Sequence, residues 1–342
     1  MKIKNFNQYI ISSEETVKKA VIKLGKLKKQ FCIVVDKKNK YVGTLTDGDI
    51  RRSLLLNFTL KNKIEDVCNT KSYFVRKEIT ENKIQEIFKL KEVPFLPIVS
   101  KLKKIIGIHY LSNYKSLDTI ENEMLIMAGG KGKRLRPFTN KIPKPLLPVN
   151  GKPIIERIIL IAKKQGIKNF VISVNYLGNK IKSYLKNGKK FNVNIRYINE
   201  DRPLGTAGSL YYFKNSKLPF IVSNADIISN INYREMLEYH KKLKSYITIG
   251  AISNFEKNHY GNIIFKKNRV QRIEEKVEKK SFINSGIYVV NPNINQFFKS
   301  KKFFHMTEFI ESAIFKKKKI HLFPIHEYWY DYGIKDKYLK QK

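Results

Sequence analysis

The chain has 342 residues, 42% of them hydrophobic, enough for a sizeable core and for two domains. No apolar run approaches the ~20 residues of a membrane-spanning helix and no secretory signal precedes Met1–Lys4, so a cytoplasmic protein with no membrane partner is expected. The formal net charge of +39 raises nucleic-acid binding as a possibility. Its distribution argues otherwise: residues 1–120 carry 25 basic and 12 acidic side chains and the remaining 222 carry 43 and 17. The excess is a whole-chain bias, not one gathered surface, though it still draws phosphorylated small molecules toward a cleft. Cys32 and Cys68 have no metal-ligand spacing and sit among apolar neighbours, as reduced thiols do.

Up to about residue 120 the pattern reads as two copies of one small α/β unit. In the first, apolar residues recur at helical spacing over Ser12–Leu27, with Ser13 as the expected N-cap and acids in the first turn. Phe31–Asp36 is an expected strand, Lys37–Lys40 a turn, Tyr41–Thr46 the hairpin partner, and Asp49–Leu56 begins another helix. The second copy repeats the order: a helix over Ile79–Leu90, a strand over Phe95–Ser100 and its partner over Lys104–Leu111. Copies spaced by roughly 60 residues, each too small to stand alone, are expected to pack on each other.

This arrangement resembles a pair of CBS domains over residues 1–118. The resemblance rests on GTLTDGD, Gly43–Asp49. It implies a bound nucleotide, with the Thr46 hydroxyl on a phosphate and the Asp49 carboxylate on the ribose hydroxyls. In the second copy, GIHYLSN (Gly107–Asn113) has Tyr110 in place of the hydroxyl residue and Asn113 in place of the acid, which implies a weaker or lost half-site. Two other readings stay open: Asp49 as a helix N-cap, and a pair used only for packing. The resemblance also implies a homodimer.

Asp118–Glu123 is short and polar, an expected linker. From Met124 strands and helices alternate. Met124–Ala128, Phe170–Asn175, Val193–Asn199, Pro219–Asn224 and Ser245–Ile252 are expected strands, and Ile154–Gln165, Lys180–Lys186 and Glu235–Leu243 expected helices. This βαβ rhythm argues for an α/β fold with a doubly wound, mostly parallel sheet. It loosens after Tyr260, as an added substrate-facing subregion would make it.

The first of these strands runs into Ala128, Gly129, Gly130 and Gly132, followed by Lys131, Lys133, Arg134 and Arg136. Glycines at a strand end let backbone N–H groups approach a polyphosphate, and the cations match its charge. The loop is neither a Walker P-loop nor GxGxxG. It reads GGxGxRLxP, and PKPLLPV follows at Pro143–Val149. With these motifs, residues 123–342 resemble a sugar-1-phosphate nucleotidyltransferase, which joins an NTP to a sugar 1-phosphate and releases pyrophosphate. The resemblance implies a Rossmann-like fold, Mg2+ as cofactor, and Arg134 on the β/γ-phosphates. It also implies Lys144 on the α-phosphate and the incoming phosphate, jobs for cations that stay protonated. Lys133 departs from the usual Thr or Ser, and two readings stay open: an added phosphate contact, or a share in the whole-chain bias.

Further ordered motifs extend the resemblance. EDRPLGTAGSL (Glu200–Leu210) implies that Gly205 and Thr206 lie against the base, with Gly205 and Gly208 flanking a helix N-terminus. This form of the segment favours GTP. Asp226 ends the strand IVSNAD, where an acid at the C-terminal end of a parallel strand faces the ligand crevice. The resemblance makes it a metal ligand, with Asp331 of WYDYG as the second and Trp329 as a core aromatic. Ala225 stands where the family has glycine. In IEEKV, Glu275 would accept sugar hydroxyls and Lys276 hold the sugar's phosphate, with Val277 replacing a proline. Asn284 and Gly286 of FINSGIYVV would contact the sugar, and Asn175 and Tyr176 are weaker sugar-side candidates. His240, His259, His305 and His326 show no metal or triad spacing, and a direct displacement needs no nucleophile from the protein.

The domain order resembles the guanylyltransferases of bacterial nonulosonate (legionaminic acid) pathways. This implies GTP and glucosamine 1-phosphate as substrates. Mannose 1-phosphate with GTP, another hexose 1-phosphate with UTP or dTTP, and a catalytically inactive nucleotide sensor are the alternatives.

Overall fold

The apolar periodicities resolve into two compact units, Met1–Ser116 and Leu117–Lys342. The computed structural model describes residues 3, 5–27, 30–56, 58–91, 93–111, 119–257, 262–266, 268–275, 278–300 and 303–340. None of its helices, among the described residues, is long and apolar enough to cross a membrane.

In the first unit, Phe31–Val35 and Tyr41–Thr46 pair antiparallel, and Ile10–Ser12 adds a parallel edge. The second copy repeats this down to its irregularities. Phe31 faces Thr46 as Phe95 faces Tyr110, and Val34 faces Gly43 as Ile98 faces Gly107. Each hairpin then slips register at the next pair. The pairing of Ile11 with Val34 recurs as a parallel bridge from Val75 to Ile98. The copies do pack on each other: Phe31 and Phe95 stack with centroids 3.7 Å apart, walled by Tyr9, Ile33 and Ile108.

The first helix begins later than its pattern suggests, at Val17. Thr16, not Ser13, caps it, accepting the Lys19 N–H at 3.4 Å. Glu14 and Glu15 sit in the preceding turn and pair with Lys37 and Lys19. Thr46 is extended and caps the helix Asp47–Leu55. Its hydroxyl accepts the Asp49 N–H at 3.3 Å, while the Asp49 carboxylate accepts the Thr46 N–H at 2.8 Å and hydroxyl at 2.6 Å. This is a reciprocal capping box, and Arg52 donates to the other Asp49 oxygen at 2.5 Å. Thr46 is therefore the N-cap and Asp49 its partner three residues on. Asn113 of the second copy lies outside the described residues.

The second unit is built on seven strands in the order Asn194–Asn199, Asn169–Val174, Met124–Met127, Phe220–Asn224, Glu278–Val290, Ile247–Lys257, Ile320–Ile325. The first four are mutually parallel, Glu278–Val290 is antiparallel to both neighbours, and the last pair is parallel. Alternate residues of each central strand enter opposite cores. Met124, Ile126, Phe170, Ile172 and Ile221 join one cluster, with the helices Ile154–Lys164 and Gly178–Leu185; Leu125, Val171, Phe220 and Val222 join the other, with the helix Met306–Phe315. Burial on both faces is what makes these strands near-continuous apolar runs. Truncating a fully buried residue such as Phe170 to Ala would cost about 3–5 kcal/mol.

The expected linker is partly structural. Ile120 is buried and bridges Ile167, and the Asn122 amide donates to the Pro219 carbonyl at 2.6 Å. The chain leaves Met124–Met127 toward Asn169–Val174 on one side and reaches Phe220–Asn224 on the other. That reversal opens a crevice at the strand ends, the usual place for a ligand in such sheets. After Ile252 the strands Ile247–Lys257 and Glu278–Val290 run on as a two-stranded ribbon, and Asn262–Lys266 pairs with Arg269–Glu274 as an exposed hairpin. The loosened rhythm after Tyr260 thus corresponds, among the described residues of 262–275, to strands and turns.

Candidate active site

The crevice holds a cavity of about 390 Å³, within the 300–1,000 Å³ usual for small-molecule sites. Its floor is the end of the central strand. Ala128 N–H donates to the Ser173 carbonyl at 2.9 Å, carrying Met124–Met127 into the loop, and Gly129 and Gly130 follow along the cavity wall. Gly132 turns the chain with φ +61°, where a Cβ would stand 2.9 Å from the Thr139 methyl. Thr139 in turn donates to the Gly132 carbonyl at 2.9 Å. This tight turn starts a single 3-10 turn, Lys133–Leu135, that sets Lys133 and Arg134 on the exposed rim. Leu135 is buried beneath them and anchors the turn.

Lys144 opens a second 3-10 turn, Lys144–Leu146, between Pro143 and Pro145. Its ammonium is half-buried and donates to Asp226 Oδ2. Asp226 ends up there because Phe220–Asn224 stops at the crevice and Ile227–Ser229 turns back to pair with Trp329–Asp331. In that short sheet Ile227 faces Asp331, and the Tyr332 N–H donates to the Asp226 carbonyl at 2.9 Å. Gly333 shows how closely the groups converge. A Cβ placed on it would lie 2.5 Å from Asp226 Oδ2, 2.7 Å from Lys144 Nζ and 2.8 Å from Asp331 Oδ1. A side chain here would push at least one of the two carboxylates or the ammonium aside. The donor set suits a divalent cation: one carboxylate in the turn before Ile227–Ser229 and one on the strand that pairs with it, beside an open cavity that leaves room for phosphate oxygens.

The opposite wall is the segment after Glu200. Gly205 has φ +75°, and a Cβ there would stand 2.6 Å from the Phe304 carbonyl. Packing against residues 303–306 by itself requires a glycine here. Thr206 also serves this junction, its Oγ1 accepting the Met306 N–H at 2.8 Å. Gly208 begins a 3-10 helix, Gly208–Phe213, where an α-helical N-terminus was expected.

Ala128, Gly129, Gly130, Gly132, Lys133, Arg134, Lys144, Gly205, Thr206 and Asp226 thus line one cavity, and Asp331 meets it at Gly333. The sugar-side candidates do not line it. Glu275 lies in the exposed turn after the hairpin strand Arg269–Glu274, and Lys276 falls outside the described residues. Asn284 is exposed, with its Oδ1 accepting the Gly286 N–H at 3.0 Å. Gly286, at φ +75°, abuts the cavity only through Asn224, whose Nδ2 would be 2.6 Å from a Cβ. Asn175 donates to the Glu200 carbonyl, and the Tyr176 hydroxyl donates to the Thr139 and Asn140 carbonyls. Both brace the loops around the cavity. Trp329 is more than a core ring: its indole N–H donates to the Ser285 carbonyl at 2.9 Å, tying the last strand to Glu278–Val290.

Sequence reasoning passed over Glu200, which is buried and lines the cavity. Ser173 donates to its Oε1 at 2.7 Å and the Leu204 N–H to its Oε2 at 3.2 Å. Burial raises its carboxyl above the ordinary range, and these two hydrogen bonds pull partly the other way. The rule that found Asp226 finds it too: an acid directly after a parallel strand, here Asn194–Asn199.

Comparison with known proteins agrees with this geometry. The nucleotidyl transferase family matches residues 123–342, and the CBS domain family matches residues 6–56. The D-glycero-alpha-D-manno-heptose 1-phosphate guanylyltransferase of Aneurinibacillus thermoaerophilus is 32% identical over 64% of this chain and 96% of its own length. The mannose-1-phosphate guanyltransferase of Aspergillus oryzae is 34% identical over 61% of this chain, which spans only 60% of that protein. The crystal structure of HddC from Yersinia pseudotuberculosis superposes with a TM-score of 0.51 at 27% identity, over 64% of this chain and 97% of HddC. A second HddC structure, complexed with GMP-PN, gives a TM-score of 0.50 at 26% identity over the same shares. With a sheet, a crevice and a family match that coincide over the same residues, the chain belongs to the nucleotidyl transferase family and is a nucleotidyltransferase carrying an N-terminal CBS domain.

Proposed function

We propose that the protein transfers a guanylyl group from GTP to a sugar 1-phosphate, with glucosamine 1-phosphate as the acceptor, and releases pyrophosphate. The observation that supports this most is the convergence of Lys144, Asp226 and Asp331 on Gly333, at the foot of a cavity rimmed by Lys133 and Arg134. An oxygen of the sugar phosphate attacks the α-phosphorus, and the bond from that phosphorus to the bridging oxygen of pyrophosphate breaks. Both substrates are polyanions, so positioning and neutralisation are the protein's main task. Arg134 takes the β/γ-phosphates and the charge that develops on the leaving group. Lys144, now paired with Asp226, lies within reach of the α-phosphate and holds the incoming phosphate beside it. A divalent cation, for which we propose Mg2+, would be held by Asp226 and Asp331 and would supply further neutralisation of phosphate oxygens.

Two observations favour GTP. Glu200 presents a buried, acceptor-only carboxylate when ionised, and guanine offers adjacent N1–H and N2–H donors on one edge. The relatives reported above are named guanylyltransferases, and the HddC complex carries GMP-PN. The acceptor is less constrained. The domain order supports glucosamine 1-phosphate, while the relatives are named for heptose and mannose phosphates. Glu275, Lys276, Asn284 and Gly286 are proposed for the sugar side. A nucleotide at Thr46 and Asp49 would have to draw them out of their capping box.

The deciding experiment is a matrix of GTP, UTP, dTTP and ATP against glucosamine, mannose and heptose 1-phosphates, followed by pyrophosphate release. GTP with glucosamine 1-phosphate is expected to give the highest kcat/KM. Absence of turnover from GTP with every acceptor would overturn the guanylyl assignment, and a better acceptor than glucosamine 1-phosphate would replace that substrate. Glu200→Gln should lower kcat/KM for GTP by about 10- to 100-fold relative to UTP, because an amide offers one acceptor where guanine needs two.

A further inference from the structure

In the run FFHM, successive rings point opposite ways. Phe304 is buried in the second core cluster, whereas Phe303 keeps 56% of its surface exposed and lines the cavity beside Pro203, Gly205 and Thr206. A scattered surface phenylalanine needs no explanation. One built into the wall of a ligand cavity is a different matter.

The backbone that carries Phe303 is fixed. Phe304 N–H donates to the Leu204 carbonyl at 2.9 Å, Ala207 N–H to the Phe304 carbonyl at 2.8 Å, and Met306 N–H to Thr206 Oγ1 at 2.8 Å. The close approach at Gly205 leaves no room between the two segments. The same wall holds Glu200, whose Oε2 accepts the Leu204 N–H at 3.2 Å. Two successive hydrogen bonds, Phe304 to Leu204 and Leu204 to Glu200, therefore set the ring-bearing backbone and the carboxylate at a constant offset. His305 meets the Phe303 ring edge-on, with centroids 4.7 Å apart and planes at 82°, which steadies the ring plane.

The geometry points to Phe303 as the stacking platform for the base of the incoming nucleotide, working with the carboxylate of Glu200 on the base edge. The inference rests on reading the cavity as a nucleoside triphosphate site. An aromatic face binds any base through its π surface, and a purine offers the larger overlap. The platform then supplies affinity for the base, while Glu200 supplies the choice between bases.

The test compares Phe303→Ala, Phe303→Leu and Phe303→Tyr with the wild type in the full-length protein. KM for GTP is expected to rise about 5- to 100-fold in the Ala variant and clearly in the Leu variant, and to return to within about twofold of wild type with Tyr. Inhibition by inorganic tripolyphosphate, which has no base, and KM for the sugar phosphate should both stay within about twofold in all three. An unchanged KM for GTP in the Ala variant overturns the proposal. So does a Leu variant equal to wild type, since the ring is then unnecessary, or an equal loss of tripolyphosphate inhibition, since the wall itself is then disturbed. A wild type that turns over no nucleoside triphosphate would instead sink the catalytic reading. Calorimetric titration of GTP into wild type and the Ala variant would still decide the platform: weaker binding in the variant supports it, and equal or absent binding in both overturns it.

Discussion

Glu200 stands directly after a parallel strand of the buried sheet and Asp226 two residues beyond another, and each has its carboxylate held by another residue's side chain or backbone. Glu275, proposed for the sugar end, stands in an exposed turn after a two-stranded hairpin. The difference lies in what fixes each group. At the nucleotide end Lys144, Asp226 and Glu200 are each held by partners from other elements, so these charges are organised before any ligand arrives, while Lys133 and Arg134 stand on the exposed rim. At the sugar end the scaffold is an exposed ribbon, and ligand contacts must contribute to order.

Removing a group from the organised end is expected to give the largest effect. Asp226→Ala should lower kcat by about a thousandfold while circular dichroism stays native, because it takes away both the proposed metal ligand and the partner of Lys144. Unchanged turnover would remove Asp226 from the site. The next effect concerns the frame that both ends share. His240 is buried beside the strand Ile247–Lys257, its Nδ1 bonded to Thr248 Oγ1 at 2.9 Å and its Nε2 without a partner among the described residues. Burial, assisted by nearby His321, pushes its pKa down to about 4 from 6.5. The folded state thus prefers neutral His240. Its contribution is fully present above about pH 6.5 and is lost as the pH falls toward 4, on the order of 3 kcal/mol over that window. Melting temperatures between pH 7 and 4.5 should fall steeply in wild type and less so in His240→Gln.

Gly333→Ala tests the convergence itself. A methyl within 2.8 Å of three charged atoms forces at least one aside, and kcat should drop about 10- to 100-fold with little change in melting temperature. At the ribbon, Glu275→Ala should raise KM for the sugar phosphate about tenfold and leave KM for GTP unchanged. Equal changes in both would erase the contrast between the two ends. The smallest effect lies in the CBS unit, where Thr46→Ala should cost about 1 kcal/mol through the lost cap. A nucleotide that stabilises wild type but not this variant in thermal unfolding would show that the capping box yields to a ligand.

Much of the nucleotide end was legible because its chemistry is local in sequence. The glycine loop, the proline-flanked Lys144 and the strand-end Asp226 each combine a backbone signal with a charge, and all three reach the cavity. Asp331 was legible only through its motif, since no local rule brings residue 331 to residue 226; a three-residue antiparallel pairing does so. Glu200 was hidden by the glycine string that follows it, although the strand before it was expected. Phe303 and Gly333 were invisible for a physical reason: one depends on a distant segment docking at Gly205, the other on three side chains meeting at an empty vertex. In the CBS unit the repeated order was visible from apolar runs, while the repeated register slip needed paired backbones. The helix start at Val17 was misplaced because Ser13, Glu14 and Glu15 imitate a first turn.

The short sheet joining Ile227–Ser229 to Trp329–Asp331 has a consequence for biosynthesis and engineering. The seven-stranded sheet receives its last member with Ile320–Ile325, and the second acid follows it in the chain together with the core tyrosines Tyr332 and Tyr338. A chain cut after Ile325 would keep its glycine loop, Arg134, Lys144 and Asp226, yet lack Asp331 and Gly333 altogether. Such a product should still capture nucleotide and never discharge pyrophosphate. Asp331 thus comes to Asp226 only through the pairing of Trp329–Asp331 with Ile227–Ser229, so the two acids meet, or fail to meet, with that one short sheet.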